Sequence, residues 1–324
     1  MAALGEFELI DRFFRRRTRH TVLGVGDDAA LLAPSAGSLL AVSVDMLVAG
    51  RHFFADVDPE ALGHKTLAVN LSDLAAMGAK PRWALLAGAL PEADPAWLAA
   101  FARGFFALAD AFEVDLVGGD TTRGPLNLCV TILGEVPVGQ ALLRSGAQPG
   151  DAIYVSGRLG DAALAVAHHQ RRISLASEEL QRCDAAMLRP TPRVALGEQL
   201  RGVASAVIDL SDGLVGDLGH VLDASRVGAT LQLAAIPRSE AIDHRLSGTE
   251  RGIALQCMLA GGDDYELCFT VPEARAAEVD ALASALPLAL TRIGVIEKRA
   301  GLAVLDEDGG ALPTLPRAFD HFAR

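Results

Sequence analysis

Six short segments join aspartate to glycine, serine or asparagine in ways that could bind a hard metal ion. They are Gly26-Asp27-Asp28, Ser43-Val44-Asp45, Asn70-Leu71-Ser72-Asp73, Gly118-Gly119-Asp120-Thr121-Thr122, Ser211-Asp212-Gly213 and Gly261-Gly262-Asp263-Asp264-Tyr265. Taken singly, each reads first as a turn or a helix cap, because Asp and Gly are the residues turns use. Repeated in one acidic chain, they point to a magnesium site. Magnesium takes carboxylate, hydroxyl and water oxygens and commonly bridges to a substrate phosphate. Asp73 stands out because it interrupts the apolar run Leu67, Ala68, Val69, Leu71, Leu74, Ala75, Ala76. An aspartate has low helix propensity there, so it either caps a kink or points into a charged cavity; the cavity is the reading preferred.

Lysine usage narrows the phosphate chemistry. Only Lys65, Lys80 and Lys298 occur, and none follows a glycine-rich turn. The G-x-x-x-x-G-K-[ST] loop is absent, as is the protein-kinase glycine loop with its strand lysine. Bare carboxylates would repel a phosphate by roughly 4 kcal/mol per charge pair at 4 Å and an effective dielectric of 20. Divalent ions placed between aspartate and phosphate reverse that sign. Metal-bridged phosphate binding therefore accounts for both the aspartates and the missing lysine. His168-His169 does not add a metal site, since adjacent helical side chains diverge by about 100°.

The elements that must carry these segments follow from periodicity. Helices are predicted over 6–14, 59–77, 95–112, 161–169, 178–188 and 193–200, after Ser211-Asp212-Gly213 to Ala224, in a segment ending near Ala260, and over 272–286. Strands are predicted at 83–89, 114–117, 126–136, 152–156, 206–210, 230–233, 266–271, 291–296 and 303–305. The apolar stretches 29–32 and 39–44 flank Pro34-Ser35-Ala36-Gly37 and read as a β-hairpin. Adjacent strand pairs argue for mixed or antiparallel sheets covered by helices, hence an α+β fold in two domains, 1–137 and 138–324. A chain of 324 residues exceeds the size at which a single core usually stops growing.

Composition excludes several classes. With 29 Lys+Arg against 41 Asp+Glu the formal net charge is −12, which disfavours nucleic acid as a partner. The basic run Arg12, Arg15, Arg16, Arg17, Arg19 reads as one solvated helix face. Cys129, Cys183, Cys257 and Cys268 have no C-x-x-C spacing and fit buried thiols in a reducing compartment. Glu6, Glu8 and Asp11 spoil a signal peptide, and the most apolar stretch, 29–44, is broken by Pro34 and Gly37. No membrane association is expected, and the chain reads as soluble and cytoplasmic.

Longer motifs contain the same aspartates: G-V-G-D-D-A-A-L-L at 24–32, S-V-D-M-L-V-A-G-R-H-F at 43–53 and A-V-N-L-S-D-L-A-A-M-G-A at 68–79. V-G-G-D-T-T-R-G at 117–124, R-S-G-A-Q-P-G-D at 144–151, I-D-L-S-D-G-L at 208–214 and G-G-D-D-Y-E-L at 261–267 extend the series. With these motifs in this order, the chain closely resembles the thiamine-monophosphate kinase family. That family lies within the ATP-dependent superfamily of aminoimidazole-ribonucleotide synthetase and selenophosphate synthetase. The likeness runs from Gly5-Glu6-Phe7 to Phe319-Asp320-His321-Phe322. Selenophosphate synthetase itself is disfavoured, because no cysteine lies in the N-terminal glycine-rich stretch.

The resemblance implies a homodimer formed through the N-terminal domains, with ATP and several Mg²⁺ ions bound. It also implies transfer of the γ-phosphoryl group of ATP to thiamine monophosphate, giving thiamine diphosphate and ADP. The positions that match the family's metal ligands are Asp28, Ser43, Val44 through its carbonyl, Asp45, Asp73, Asp120, Asp209 and Asp212. Gly119, Asp120, Arg144 and Ser211 match its nucleotide contacts, and His52, Asp263 and Phe319 its substrate contacts. Asp120, Arg144 and Asp45 are the expected catalytic group; the fixed guanidinium fork of Arg144 suits phosphate oxygens. Three positions depart from the family's habit, which is often Thr at Val44, usually Glu at Asp263 and often Tyr or Trp at Phe319.

Overall fold

The computed structural model describes residues 5–319 and Phe322, so the predicted motif's Asp320 and His321 lie outside the described residues. The chain divides into two compact units, each α+β with a mixed sheet. One comprises the residues up to Leu74 together with Ala79–Gly139; the other comprises Ala75–Gly78 and the residues from Gln140 onward.

The first unit begins with α1 (Glu6–Phe13), β1 (Thr21–Leu23), β2 (Leu31–Leu32), β3 (Ser38–Val48) and α2 (Pro59–Ala76). It continues with β4 (Lys80–Leu90), α3 (Pro95–Ala111), β5 (Asp115–Arg123) and β6 (Asn127–Pro137). Asp58 starts α2 by accepting the Ala61 amide at 2.9 Å, and Pro59 occupies the first helical position, where its missing N–H costs nothing. Gly78, in the left-handed region at φ +62, ends the run after Ala76. Asp94 caps α3 through the Ala96 amide at 2.9 Å. Leu62, Leu67, Leu71 and Leu74 of α2 and Phe101 and Phe105 of α3 are fully buried.

The main sheet runs β3-β6-β4-β5, with β4 and β5 parallel and the other pairs antiparallel. The predicted hairpin of 29–32 with 39–44 does not form. β2 pairs with β1, while all eleven residues of β3 pair with β6. The turn between them is tied to β6, since the amide and hydroxyl of Ser35 both donate to Glu135. An eleven-residue ladder offers far more pairing than the four-residue hairpin arm could. The arginine run also differs from expectation, because α1 stops at Phe13 and most of the run follows it. Arg16 and Arg19 pair with Asp110, and the Arg16 guanidinium lies 4.3 Å from the Phe106 ring centre.

The second unit contains β7 (Ala152–Ser156), α4 (Asp161–His169), α5 (Ser177–Leu188), α6 (Val194–Leu200), β8 (Ala206–Asp209), α7 (Leu214–Ser225) and β9 (Gly228–Gln232). It ends with α8 (Glu240–Leu246), α9 (Arg251–Ala260), β10 (Leu267–Val271), α10 (Ala276–Ala285), β11 (Leu290–Glu297) and β12 (Gly301–Leu305). Its sheet runs β12-β9-β11-β7-β10-β8, with only β12 and β9 parallel. Every residue of β7 and β10 is buried, which explains their unbroken apolar character. The four cysteines are free thiols, and burial pushes the Cys183 thiol up to about 12. No helix among the described residues is long and apolar enough to cross a membrane.

Between α8 and α5 the Arg245 guanidinium grips both oxygens of Glu179, at 3.2 and 3.1 Å. That grip holds the Glu179 carboxyl below the usual carboxylate range, with the Ala176 amide helping. A carboxyl depressed by folding contributes stability above its unfolded pKa and loses it as pH falls through the folded value. Glu179→Gln is therefore expected to lower the melting temperature at pH 7. The difference from the unmodified protein should shrink steadily below about pH 4, as thermal melts across pH 3–7 would show.

Candidate active site

A cavity of the first unit encloses about 850 Å³. One wall is apolar, built from Phe7, Ile10 and Phe14 near α1 and from Trp97, Leu98 and Phe101 on α3. Trp97 and Phe101 stack with ring centres 5.3 Å apart, as the i, i+4 spacing on one helix face allows. The rim also carries acidic residues, with Asp27 and Asp28 on the β1–β2 connection and Asp120 on β5.

Sequence and strand geometry together set the position of Asp120. The predicted strand 114–117 runs further than expected: Gly118 to Thr122 continue β5, which pairs with β4 as far as Arg123 and Leu90. The register shifts between Ala84 and Leu85, so that Leu116 and Gly118 face consecutive residues and Val117 is the extra one. Such a bulge re-aims the residues beyond it. Gly119 has φ +152, and a Cβ there would lie 1.8 Å from the Leu86 carbonyl oxygen. Only glycine allows the two backbones to approach this closely, and the next residue is the cavity-lining Asp120.

The β3 candidates are braced by α2. The Ser43 hydroxyl donates to Asp73 at 2.5 Å, and the Asp45 amide donates to the Asn70 side-chain oxygen at 3.1 Å. Asp73 is not among the residues lining the 850 Å³ cavity; it receives a hydroxyl from the facing strand. Val44 projects from the other face and is 59 % exposed. His52 accepts the Val48 amide on Nδ1 at 2.9 Å, which leaves its proton on Nε2.

Asp209, Ser211, Asp212, Asp263 and Phe319 come together in the second unit. Asp209 is buried at the end of β8, and Ser211 and Asp212 form the turn into α7. The Asp263 amide donates to the Ser211 carbonyl at 3.0 Å, and the Phe319 amide reaches the Asp212 carbonyl at 3.5 Å. Asp263 and Tyr265 both adopt left-handed backbone, at φ +72 and +49, a strained arrangement of the kind that collects at binding sites. The turn is held from below by Asp217, whose Oδ2 accepts the Asp212 and Gly213 amides at 3.0 and 3.1 Å. Burial, with Asp212 nearby, pushes the Asp217 carboxyl up to about 7. Burial likewise raises Asp264, whose Oδ1 accepts the Gly160 amide. Arg144 is exposed on the segment before β7, and its carbonyl accepts the Ser225 hydroxyl at 3.3 Å.

The described residues contain no group of three or more His, Cys, Asp or Glu side chains close enough to hold a metal ion. The donor set still suits magnesium, which commonly binds one or two carboxylates and completes its shell with water and substrate phosphate. Sequence reasoning missed Arg15, which lines the first unit's cavity, and the stacked wall of α3. The spacing of Trp97, Phe101 and Phe105 was a visible signal for the wall, whereas nothing local marked Arg15.

Residues 26–136 match the model for the AIR synthase related protein N-terminal domain, and residues 148–307 match that for the C-terminal domain. The thiamine-monophosphate kinase of Salmonella typhimurium is 47 % identical over 330 residues, spanning 99 % of each chain. The crystal structure of thiamine-monophosphate kinase from Stenotrophomonas maltophilia K279a is 48 % identical with a TM-score of 0.85, covering 96 % of this chain and 99 % of that one. A structure of AaThiL complexed with AMPPCP and TMP is 29 % identical with a TM-score of 0.77, over 98 % and 97 % of the two chains. By its sequence along nearly the whole length and by its fold, the chain belongs to the thiamine-monophosphate kinase family.

Proposed function

We propose that this protein phosphorylates thiamine monophosphate with ATP, forming thiamine diphosphate and ADP by direct magnesium-assisted transfer. The observation that carries this reading is the cavity of the first unit, which is lined by both a stacked aromatic pair and an acidic rim, with no lysine. A purine fits the first and a metal-bridged phosphate chain the second. The AaThiL structure complexed with AMPPCP and TMP supports both ligand assignments.

In this reading Asp28, Ser43, the Val44 carbonyl, Asp45, Asp73, Asp120, Asp209 and Asp212 hold magnesium. Gly119, Asp120, Arg144 and Ser211 contact the nucleotide, while His52, Asp263 and Phe319 contact thiamine monophosphate. Bound magnesium supplies the positive charge that lets phosphate oxygens approach the aspartates. The acceptor is a phosphate monoester whose second pKa near 6 leaves it mostly dianionic at pH 7. It therefore needs no general base, and the chain's task is to position and to stabilise developing charge. His52 can donate from Nε2 to the substrate, the Asp263 carboxylate suits the cationic thiazolium, and the Phe319 ring offers a stacking face.

Residues 1–137 are assigned to ATP and magnesium binding and to dimerisation, and residues 138–324 to completion of the nucleotide and substrate sites. The homodimer is supported by β3, whose Leu40, Val42, Val44 and Met46 form an apolar face exposed by 41–59 %. The test is incubation with ATP, Mg²⁺ and thiamine monophosphate. Thiamine diphosphate and ADP are expected in equal amounts, and a folded protein that forms neither would remove the kinase assignment.

A further inference from the structure

The arginines that follow α1 divide between two surroundings, and only one of them reaches the cavity of the first unit. Arg16 and Arg19 are engaged by Asp110 on α3. Arg15 turns instead towards the acidic rim, where a Cβ on Gly26 would lie 2.7 Å from its Nη2. It is the sole cationic side chain among the described residues lining that cavity, whose other charged side chains are Asp11, Asp27, Asp28 and Asp120. Its partner is Asp11, with Nη1 and Oδ1 3.0 Å apart and both side chains more than half exposed. An exposed pair of this kind contributes about 1 kcal/mol at most, so it gives way readily to a better-placed anion.

The surrounding backbone keeps Arg15 in place. Its amide and that of Phe14 both donate to the Ile10 carbonyl, at 3.0 and 2.9 Å. Four residues on, the buried Asp115 carboxylate accepts the Arg19 amide at 2.8 Å, the His20 amide at 2.6 Å and the Thr21 hydroxyl at 2.8 Å. The segment between α1 and β1 is thus tied at both ends, and Arg15 is presented beside Gly26-Asp27-Asp28.

We propose that Arg15 is a nucleotide-binding residue whose guanidinium takes a non-bridging phosphate oxygen of a nucleoside triphosphate in this cavity. This rests on the nucleotide reading given above and adds to it a cation that belongs to the first unit itself. Phosphate, rather than the base, is the partner because Arg15 stands at the acidic rim. There an incoming polyanion meets three carboxylates, and the planar fork matches two phosphate oxygens at once.

The test is titration of the full-length protein with AMPPCP and Mg²⁺, and separately with adenosine, for the unmodified chain, Arg15→Gln and Arg15→Lys. Arg15→Gln is expected to weaken AMPPCP binding about tenfold and leave adenosine binding unchanged, with Arg15→Lys between the two. In turnover, the KM for ATP should rise while that for thiamine monophosphate stays constant. AMPPCP binding by Arg15→Gln at full strength, or equal weakening of adenosine, would overturn the role of Arg15 and leave the nucleotide reading standing. An unmodified chain that binds no AMPPCP would overturn both. Because Arg15 is largely exposed, its replacement should leave the melting temperature unchanged, and a fall of several degrees would count against a ligand role.

Discussion

Asp120→Asn is expected to lower kcat about a thousandfold while the protein stays folded. The substitution keeps the shape of the side chain and removes its charge. Asp120 lines the cavity from β5 and is exposed there, with no part in the core, so its replacement should change stability by no more than about 0.5 kcal/mol. An amide oxygen is a much poorer partner for magnesium than a carboxylate. Losing about 4 kcal/mol of transition-state stabilisation corresponds to three decades in rate. Initial rates of thiamine diphosphate formation at saturating ATP and Mg²⁺, with a thermal melt alongside, would decide the matter. A variant within tenfold of the unmodified rate would remove Asp120 from the metal-binding set.

The second large effect concerns stability in the second unit. Arg193 lies just before α6 and closes two of its guanidinium nitrogens on Glu266, Nε on Oε2 at 2.6 Å and Nη2 on Oε1. Glu266 is buried, and its Oε2 also accepts the Ser156 hydroxyl at 2.5 Å. That hydroxyl in turn accepts the Leu267 amide at 2.9 Å, so the pair fastens the start of β10 to β7. Arg193→Met would leave an uncompensated buried carboxylate, which costs about 3–5 kcal/mol. For a unit of this size that is a fall in melting temperature of about 10 °C. Replacing both partners by methionine should recover most of the loss, since the buried charge is then gone as well. A single variant that melts within 2 °C of the unmodified chain, on a scale of about 2–4 °C per kcal/mol, would show that Glu266 finds other compensation.

Local signals carried the sequence reading a long way. The Asp58-Pro59-Glu60 start and Gly78 stop of α2, the limits of β7 and α4, and the apolar strands of the second unit were all legible from composition and period. What failed was pairing between distant segments. Residues 29–32 and 39–44 look like hairpin arms, but the choice of β6 as partner for β3 depends on residues 127–137. The Gly-Gly-Asp run looked like a turn because glycine usually marks one. Here it marks the close approach of β4, which no local rule contains. The Arg193–Glu266 pair joins residues 73 positions apart, and the segment that carries Arg15 to the cavity is anchored by Asp115, far along the chain. The aspartates of the candidate site could be read because their chemistry is unusual in bulk, whereas their grouping could not.

The pairing of β3 with β6 also bears on how the chain reaches its final form. Each β3 residue meets a partner between 79 and 99 positions away, whereas β4, α3, β5 and β6 follow one another along the chain. Closing a loop of that length carries a larger entropy penalty than joining neighbours, and contacts of high sequence separation form slowly. Sequence separation therefore favours an order in which β3, with Ser43, Val44 and Asp45, joins the β4-β5-β6 part of the sheet after that part has formed. A nascent chain that has made β6 only in part has no complete ladder for β3. Synthesis must pass residue 137 before the full eleven-residue ladder can exist.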